Sequence, residues 1–491
     1  MNALPIPHEP VRTTIPARID RLPWSPFHTR MVIALSTCWI LDGLEIEIAK
    51  HIGKELNFGL SPAAIGGLAT AYLLGEVFGA LYFGALSDQL GRRRLFFLTL
   101  TIYFTGSFLS ACVIGPKMFA LIFLYLTRII AGIGIGGEYA AINSMIDELI
   151  PAPYRGRVDI AVNGTYWFGA LIAAAVQIPL LSGAPGYGWR IALLLGPVLA
   201  VMIVFVRRQI PESPRWLIMH GRPIEAEKSI DEIERQVKQA GKPLPTVDAS
   251  RAIEIKPLPR AGYLTLLRVL FRTYPSRATL GATLMITQSF LYNAIFFSNA
   301  SVLENFFHVD KNNTPIYDIP FAIGNLLGPL VLGRLFDKIG RRYMISQTYL
   351  VSGVLLVGSA CVFRAGGFTA TTQTLTWCVI FFFASAGASA AYLTVSEIFP
   401  MEVRAKAIAV FFAIAQACGS IAPLFYGLLM GAGNPDRSSL FVGFLVGAAA
   451  MIVGGLIAVV LAVDAENKPL EDIALPLSVL SPEPAHEHHH A

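Results

Sequence analysis

The sequence predicts an all-α integral membrane protein, with about twelve transmembrane helices arranged as two six-helix halves. Three observations carry that expectation. Of 491 residues, 54% are hydrophobic and only 14% charged, against about 25% charged in ordinary soluble domains, and the mean hydropathy is +0.58. Apolar runs of about 20 residues alternate with short charged or Pro/Gly-rich joints, and in lipid such a run must satisfy its own backbone as a helix. Finally, the chain repeats itself. Gly84–Arg94 (GALSDQLGRRR) returns as Gly333–Tyr343 (GRLFDKIGRRY), and Asp147–Gly156 (DELIPAPYRG) returns as Ser396–Ala405 (SEIFPMEVRA), both at an offset of about 249 residues.

The elements follow in order. Residues 1–29 form a polar N-terminal segment. The first half, residues 30–208, holds spans at roughly 30–50, 62–86, 93–113, 118–142, 158–181 and 189–208. Residues 209–276 are polar and mixed in charge, and Ile224–Val237 reads as a surface amphipathic helix. The second half, residues 277–463, holds spans at roughly 277–301, 314–336, 343–363, 371–396, 405–430 and 438–463. Residues 464–491, with Pro469, Pro476, Pro482 and Pro484, read as a disordered tail. Its end, His486 to His490, reads as a solvated stretch or a tag remnant rather than a metal site.

Charge gives the orientation. Arg92, Arg93, Arg94, Arg155, Arg157, Arg341, Arg342, Arg404, Lys406 and the basic middle loop share one side. The other side carries only Lys50, Lys54, Lys117, Arg190, Lys311, Arg364 and Arg437. The positive-inside rule then places both termini in the cytoplasm. The net charge of +5 lies in those loops, so it is no nucleic-acid signal. The first 28 residues lack a signal-peptide core. The five cysteines fall inside apolar runs and read as packing residues rather than a disulfide framework.

The duplicated loops carry paired Asp and Gly that topology charge alone does not explain. Gly84, Gly91, Gly333 and Gly340 permit tight turns and close helix approach. Asp88 and Asp337 can meet a helix N-terminus or an arginine. These loops resemble the signature of the major facilitator superfamily over essentially the whole chain. The resemblance implies a transporter that rocks one half against the other. It also implies cytoplasmic gate pairs among Asp88, Arg92, Glu148, Arg155, Asp337, Arg341, Glu397 and Arg404. Pro211–Leu217 (PESPRWL) is similar to the sugar-porter signature, with Glu212 and Arg215 free to pair with loop charges. Gln288 and Asn293 on helix 7 resemble that group's hydroxyl-binding run, and Asn163 falls where it carries a Gln. Thr287, Phe290 and Leu291 depart from the pattern. Tyr392–Pro400 and Gly134–Glu138 instead resemble the organic-ion and niacin transporter branch, and Glu138 reads as a gate residue.

Ionisable groups within the spans point to coupling chemistry, because such groups are costly in lipid. Asp42 and Glu45 lie three apart on one face of helix 1, in a Leu41–Glu45 string similar to the Asp-Gly-x-Asp of aromatic-acid/proton symporters. Glu47 reads as interfacial. Glu76 sits mid-helix between Gly75 and Gly79, where a proton site and a structural hydrogen bond both remain open. Arg128 on helix 4 can neutralise Asp42 or Glu76, or hold a substrate carboxylate. Asn163, Tyr166, Trp167, Gln288, Tyr292, Asn293, Asn325, Tyr392 and Gln416 complete a candidate cavity lining.

The favoured reading is proton-coupled symport of a small organic metabolite, an organic acid first, by a chain that works as a monomer in the inner membrane. A sugar or polyol symporter and proton-driven efflux share the same fold, and a transporter-like sensor is the reading from another class. No nucleophile–base constellation, metal-ligand spacing or phosphate-binding loop supports an enzyme, and no cofactor beyond a proton gradient is expected.

Overall fold

The structure, a computed structural model, describes residues 10–55, 62–183, 187–207, 211–247, 252–255, 262–310, 313–430 and 436–477. The described residues wind into twelve long helical segments. The first half contains helix 1 (Pro26–Glu55), helix 2 (Pro62–Leu90), helix 3 (Arg92–Ala111), helix 4 (Lys117–Leu149), helix 5 (Ala152–Gly164 continued by Tyr166–Gly183) and helix 6 (Gly188–Arg207). The second half contains helix 7 (Pro275–Phe307), helix 8 (Thr314–Lys338), helix 9 (Arg341–Arg364), helix 10 (Ala370–Glu397), helix 11 (Met401–Gly419 continued by Ile421–Met430) and helix 12 (Arg437–Leu461). Among the described residues, 8 helices are long and apolar enough to cross a membrane by composition alone. Helix 1 falls short of that measure because Asp42, Glu45 and Glu47 interrupt it. Exposed Phe78, Tyr82, Val354 and Val460 turn outward, as helices facing lipid require.

Small residues set how closely the helices approach. A Cβ on Gly75 would lie 2.3 Å from the Ile129 carbonyl oxygen, and one on Gly132 only 2.1 Å from that of Tyr72. Helices 2 and 4 therefore cross backbone to backbone along Gly75/Gly79 and Gly132/Gly136. Between the halves, helix 2 packs on helix 11 and helix 8 on helix 5. Gly84 meets Ala409 and Gly333 meets Ile160, so the repeated glycines occupy equivalent places.

Helices 5 and 11, which correspond in the repeat, are both interrupted. The hydrogen-bond ladder slips at Thr165 (φ −66°, ψ −13°) and at Ser420 (φ −65°, ψ −16°).

The basic end is capped by segments from three parts of the sequence. Val11–Thr13 pairs antiparallel with Ile253–Ile255. The expected amphipathic helix is present as Pro223–Gln239, and PESPRWL opens a short helix, Pro214–Met219, whose N-cap Ser213 accepts from Trp216 N–H. The tail differs from expectation over residues 464–477. Leu470–Ile473 is a helical turn, and the buried Glu471 carboxylate bonds Arg215 Nε at 3.1 Å. A carboxylate paired to a buried guanidinium anchors the chain despite its prolines. Residues 478–491, with the His-rich end, lie outside the described residues.

Candidate functional site

A cavity of about 150 Å³ lies between the halves, lined by residues from helices 1, 2, 4, 5, 7, 10 and 11. Eight of the nine polar or aromatic residues assigned to it from sequence, other than Arg128, are there: Asn163, Tyr166, Trp167, Gln288, Tyr292, Asn293, Tyr392 and Gln416, together with Asp42. Asn325 stands one layer back and accepts from the Tyr292 hydroxyl at 2.8 Å. Ser289, Ser385 and Ser389, with Trp39, complete the polar and aromatic wall. Sequence reading passed over the serines because a lone hydroxyl in a helix carries no pattern. The slip at Thr165 sits directly before Tyr166 and Trp167, which both reach the cavity.

Asp42 is the one charged side chain lining this cavity among the described residues. It is buried, and both its oxygens accept phenol hydroxyls: Oδ1 from Tyr72 at 3.0 Å and Oδ2 from Tyr139. Below it, Trp39 and Tyr139 pack against Tyr392 and Phe412 across the halves, with ring centroids 4.4–6.4 Å apart. In the sequences of helices 1 and 11 the rings of Trp39 and Phe412 come on the basic-loop side of Asp42 and Gln416.

Arg128 departs from both expectations. It pairs with Glu45 rather than with Asp42 or Glu76, and it does not line the cavity. Glu45 also accepts from the Tyr103 hydroxyl at 3.1 Å, and the Arg128 guanidinium lies 4.7 Å over the Tyr72 ring. Asp42 and Glu45 share a helix face, but one turn separates a cavity acid from an acid already neutralised. Glu47 is buried rather than interfacial. Glu138 is not at the gate: it sits with Asp42, Trp39 and Tyr139 around a small pocket beside the main cavity.

Several residues expected to form a gate come together at the basic end. Arg341 bonds Asp337 at 2.7 Å and Glu397 at 3.0 Å. Asp337 accepts the Arg157 backbone N–H of helix 5 at 2.9 Å, the helix contact its loop position calls for. Gly156 makes room for this, since a Cβ there would lie 2.3 Å from the Arg341 guanidinium. Ion pairs then cross between halves: Arg155 to Glu397 at 3.8 Å and Arg404 to Asp147 at 4.0 Å. Arg215 donates to the carbonyl oxygens of Asp147 and Glu148, both at 3.2 Å. The side chains of Asp88 and Arg92 lie outside the described residues.

Sequence reading missed Asp20, Glu466 and Glu471. Asp20 bridges Arg155 and Arg215 at 3.5 and 3.1 Å; burial pushes its carboxyl up, against the pull of both arginines. Glu212 accepts the Arg93 N–H at the start of helix 3, and Glu466 accepts the Arg341 N–H at the start of helix 9, at 3.3 and 3.2 Å. Each glutamate follows the last span of its half, but Glu466 falls five residues beyond the place the 249-residue offset assigns to Glu212, so the repeat did not single it out. Gly91 (φ 84°) and Gly340 (φ 117°) precede those helices in a backbone region that side chains rarely enter.

Two six-helix halves, a central cavity between them and ion pairs built from the repeated motifs are the architecture of a membrane transporter of the major facilitator type. The chain belongs to the Sugar (and other) transporter family, whose model matches residues 45–475. It is 26% identical to the niacin transporter of Acinetobacter baylyi, over 94% of this chain and 99% of that one. It is also 26% identical to plastidic glucose transporter 4 of Arabidopsis thaliana, over 87% and 76%. The proton:xylose symporter bound to 6-bromo-6-deoxy-D-glucose shares the fold at a TM-score of 0.75 and 19% identity, covering 91% of this chain and 98% of that one.

Proposed function

We propose that this protein is a proton-coupled symporter of a small, single-ring organic acid, with its basic end and both termini in the cytoplasm and a proton gradient as its driving force. The observation that carries the reading is a carboxylate, Asp42, as the one charged lining group among the described residues. An anion entering beside an ionised Asp42 meets like-charge repulsion in a low-dielectric site, worth several kcal/mol. Once Asp42 takes a proton, the repulsion vanishes and the acid offers a hydrogen bond. Proton and anion then bind together or not at all, and one of each moves without net charge. Glu45 and Arg128 act in this reading as a neutral structural pair. The cavity volume supports a solute of about one six-membered ring, flanked by Trp39 and Tyr139 on one side and by Trp167 and Tyr292, 5.7 Å apart, on the other. Nicotinate is the first compound to try.

A second reading, sugar transport, draws on the amides of Asn163, Gln288, Asn293 and Gln416 in the wall. The test is uptake into proteoliposomes of nicotinate, benzoate and hexoses under an imposed proton gradient. Acid uptake that dissipates the gradient without membrane current, and whose pH dependence disappears in Asp42→Asn, is the expected result. Intact pH dependence in that variant would remove Asp42 from the coupling, and hexose uptake alone would leave the second reading standing.

A further inference from the structure

Glu76 is fully buried in helix 2 and does not line the cavity, yet it is wired to it. Its Oε2 accepts the Gln416 Nε2–H of helix 11 at 2.7 Å, a hydrogen bond between the two halves. Its Oε1 has no partner among the described residues. Gln416 does line the cavity, and its carbonyl oxygen accepts the Ser289 hydroxyl at 3.0 Å. Ser289 in turn accepts from Asn293 Nδ2 at 3.2 Å. Gln416 thus stands between a cavity hydroxyl and an acid behind the wall.

A primary amide donates from one end and accepts at the other. An ionised Glu76 offers acceptors only, so it holds the NH2 toward helix 2 and turns the carbonyl to the cavity. A protonated Glu76 keeps an acceptor and gains an O–H donor, and that donor finds a partner only from Oε2, since nothing among the described residues bonds Oε1. The amide is then satisfied the other way round, with the carbonyl toward Glu76 and the NH2 toward Ser289, whose hydroxyl can accept. The backbone cannot yield instead, since Gly136 of helix 4 lies against the Glu76 main chain with 2.1 Å between its would-be Cβ and the Glu76 carbonyl oxygen.

We propose that Glu76 sets which end of the Gln416 amide faces the cavity, so that the wall presents a donor while Glu76 carries a proton and an acceptor while it does not. Glu76 is then a positioning residue and Gln416 a specificity-determining one; its bearing on substrate choice rests on the transport reading above. The proton comes from solvent through the cavity and returns to it. The charged groups facing Glu76 are Asp42 of helix 1 and Arg128 of helix 4. The phenols around it are Tyr72 of its own helix, Tyr139 of helix 4, Tyr166 of helix 5 and Tyr392 of helix 10.

Infrared difference spectra of the full chain in lipid, without substrate, between mildly acidic and mildly basic buffer, test the switch. The expected result is a carboxylic-acid carbonyl band that persists in Asp42→Asn, disappears in Glu76→Gln and shifts in Gln416→Leu. A glutamine amide band, identified by isotope-labelled glutamine, should move with it and be lost in Gln416→Leu. Absence of any Glu76 band, or a band indifferent to Gln416→Leu, would overturn the proposal. If Glu76→Gln fails to fold, Gln416→Leu decides alone, because it removes the partner and leaves the acid. Failure of the Asp42 coupling leaves these bands untouched, so the two ideas fail separately.

Discussion

A guanidinium buried to 3% exposure, as Arg128 is, must have an anion beside it, and here that anion is Glu45. Taking two charges into a low-dielectric interior costs most of what their attraction returns, but removing one partner leaves an uncompensated charge, at about 3–5 kcal/mol. Arg128→Gln is therefore expected to lower the apparent melting temperature of the detergent-purified protein sharply. Glu45→Gln/Arg128→Met, which removes both charges, should recover most of the loss. A double variant no better than the single one would mean that Arg128 works through another group. This pairing was half legible. Three-residue spacing put Asp42 and Glu45 on one face, and intramembrane charge marked Arg128 as exceptional. Sequence spacing within helix 1 carries no information on which acid helix 4 brings its arginine to, because that depends on how Gly75 and Gly132 let helices 2 and 4 close together.

The segments around the basic end behave as elements in their own right. The short helix Ile15–Asp20 is tied to Pro223–Gln239 by Arg18, which reaches Glu227 and Asp231 at 2.6 Å and Glu234 at 2.9 Å, and by Arg21, which reaches Glu234 at 2.5 Å. Burial works to raise the Glu234 carboxyl, but hydrogen bonds from Arg18 and Arg21 outweigh it and hold the group below the usual carboxylate range. A depressed carboxyl stabilises the contact above its unfolded value, about 4.3, and the gain is lost as pH falls through the lower folded value. Amide exchange across residues 10–22 should accordingly stay slow through neutral and mildly acidic buffer and quicken only in strong acid. In Glu234→Gln it should already be fast at neutral pH; equal protection there would show that the strand pairing of Val11–Thr13 suffices. The helix Pro223–Gln239 was readable because apolar residues recur at helical spacing. Its partner was not, since ion pairs spanning more than 200 residues of chain leave no local pattern.

At the scale of the whole molecule, the contacts divide by whether a rocking motion must break them. Glu45–Arg128 and Arg341–Glu397 lie within one half each and can travel intact. Arg155–Glu397, Arg404–Asp147 and the Arg157 N–H to Asp337 bond join the halves at the basic end, so opening that end must give them up. The repeat made this legible in outline, because Glu148 and Glu397, or Arg155 and Arg404, appear at matching places in both halves. The particular partners were not, since Asp147, one residue before the matched Glu148, pairs with Arg404. Arg155→Gln and Arg404→Gln each delete one cation that holds the closed end from opposite halves. Each should shift the equilibrium toward an open basic end by roughly 1–3 kcal/mol, or about 5–150-fold. Spin labels at the exposed positions Gln89 and Lys338, in the two repeated loops, would report the shift as growth of a longer-distance population. Arg222→Gln, which removes only an exposed pair with Glu225, should leave the distribution as it is. Unchanged distances in both gate variants would mean that the aromatic layer of Trp39, Tyr139, Tyr392 and Phe412, rather than the charges, keeps this end shut.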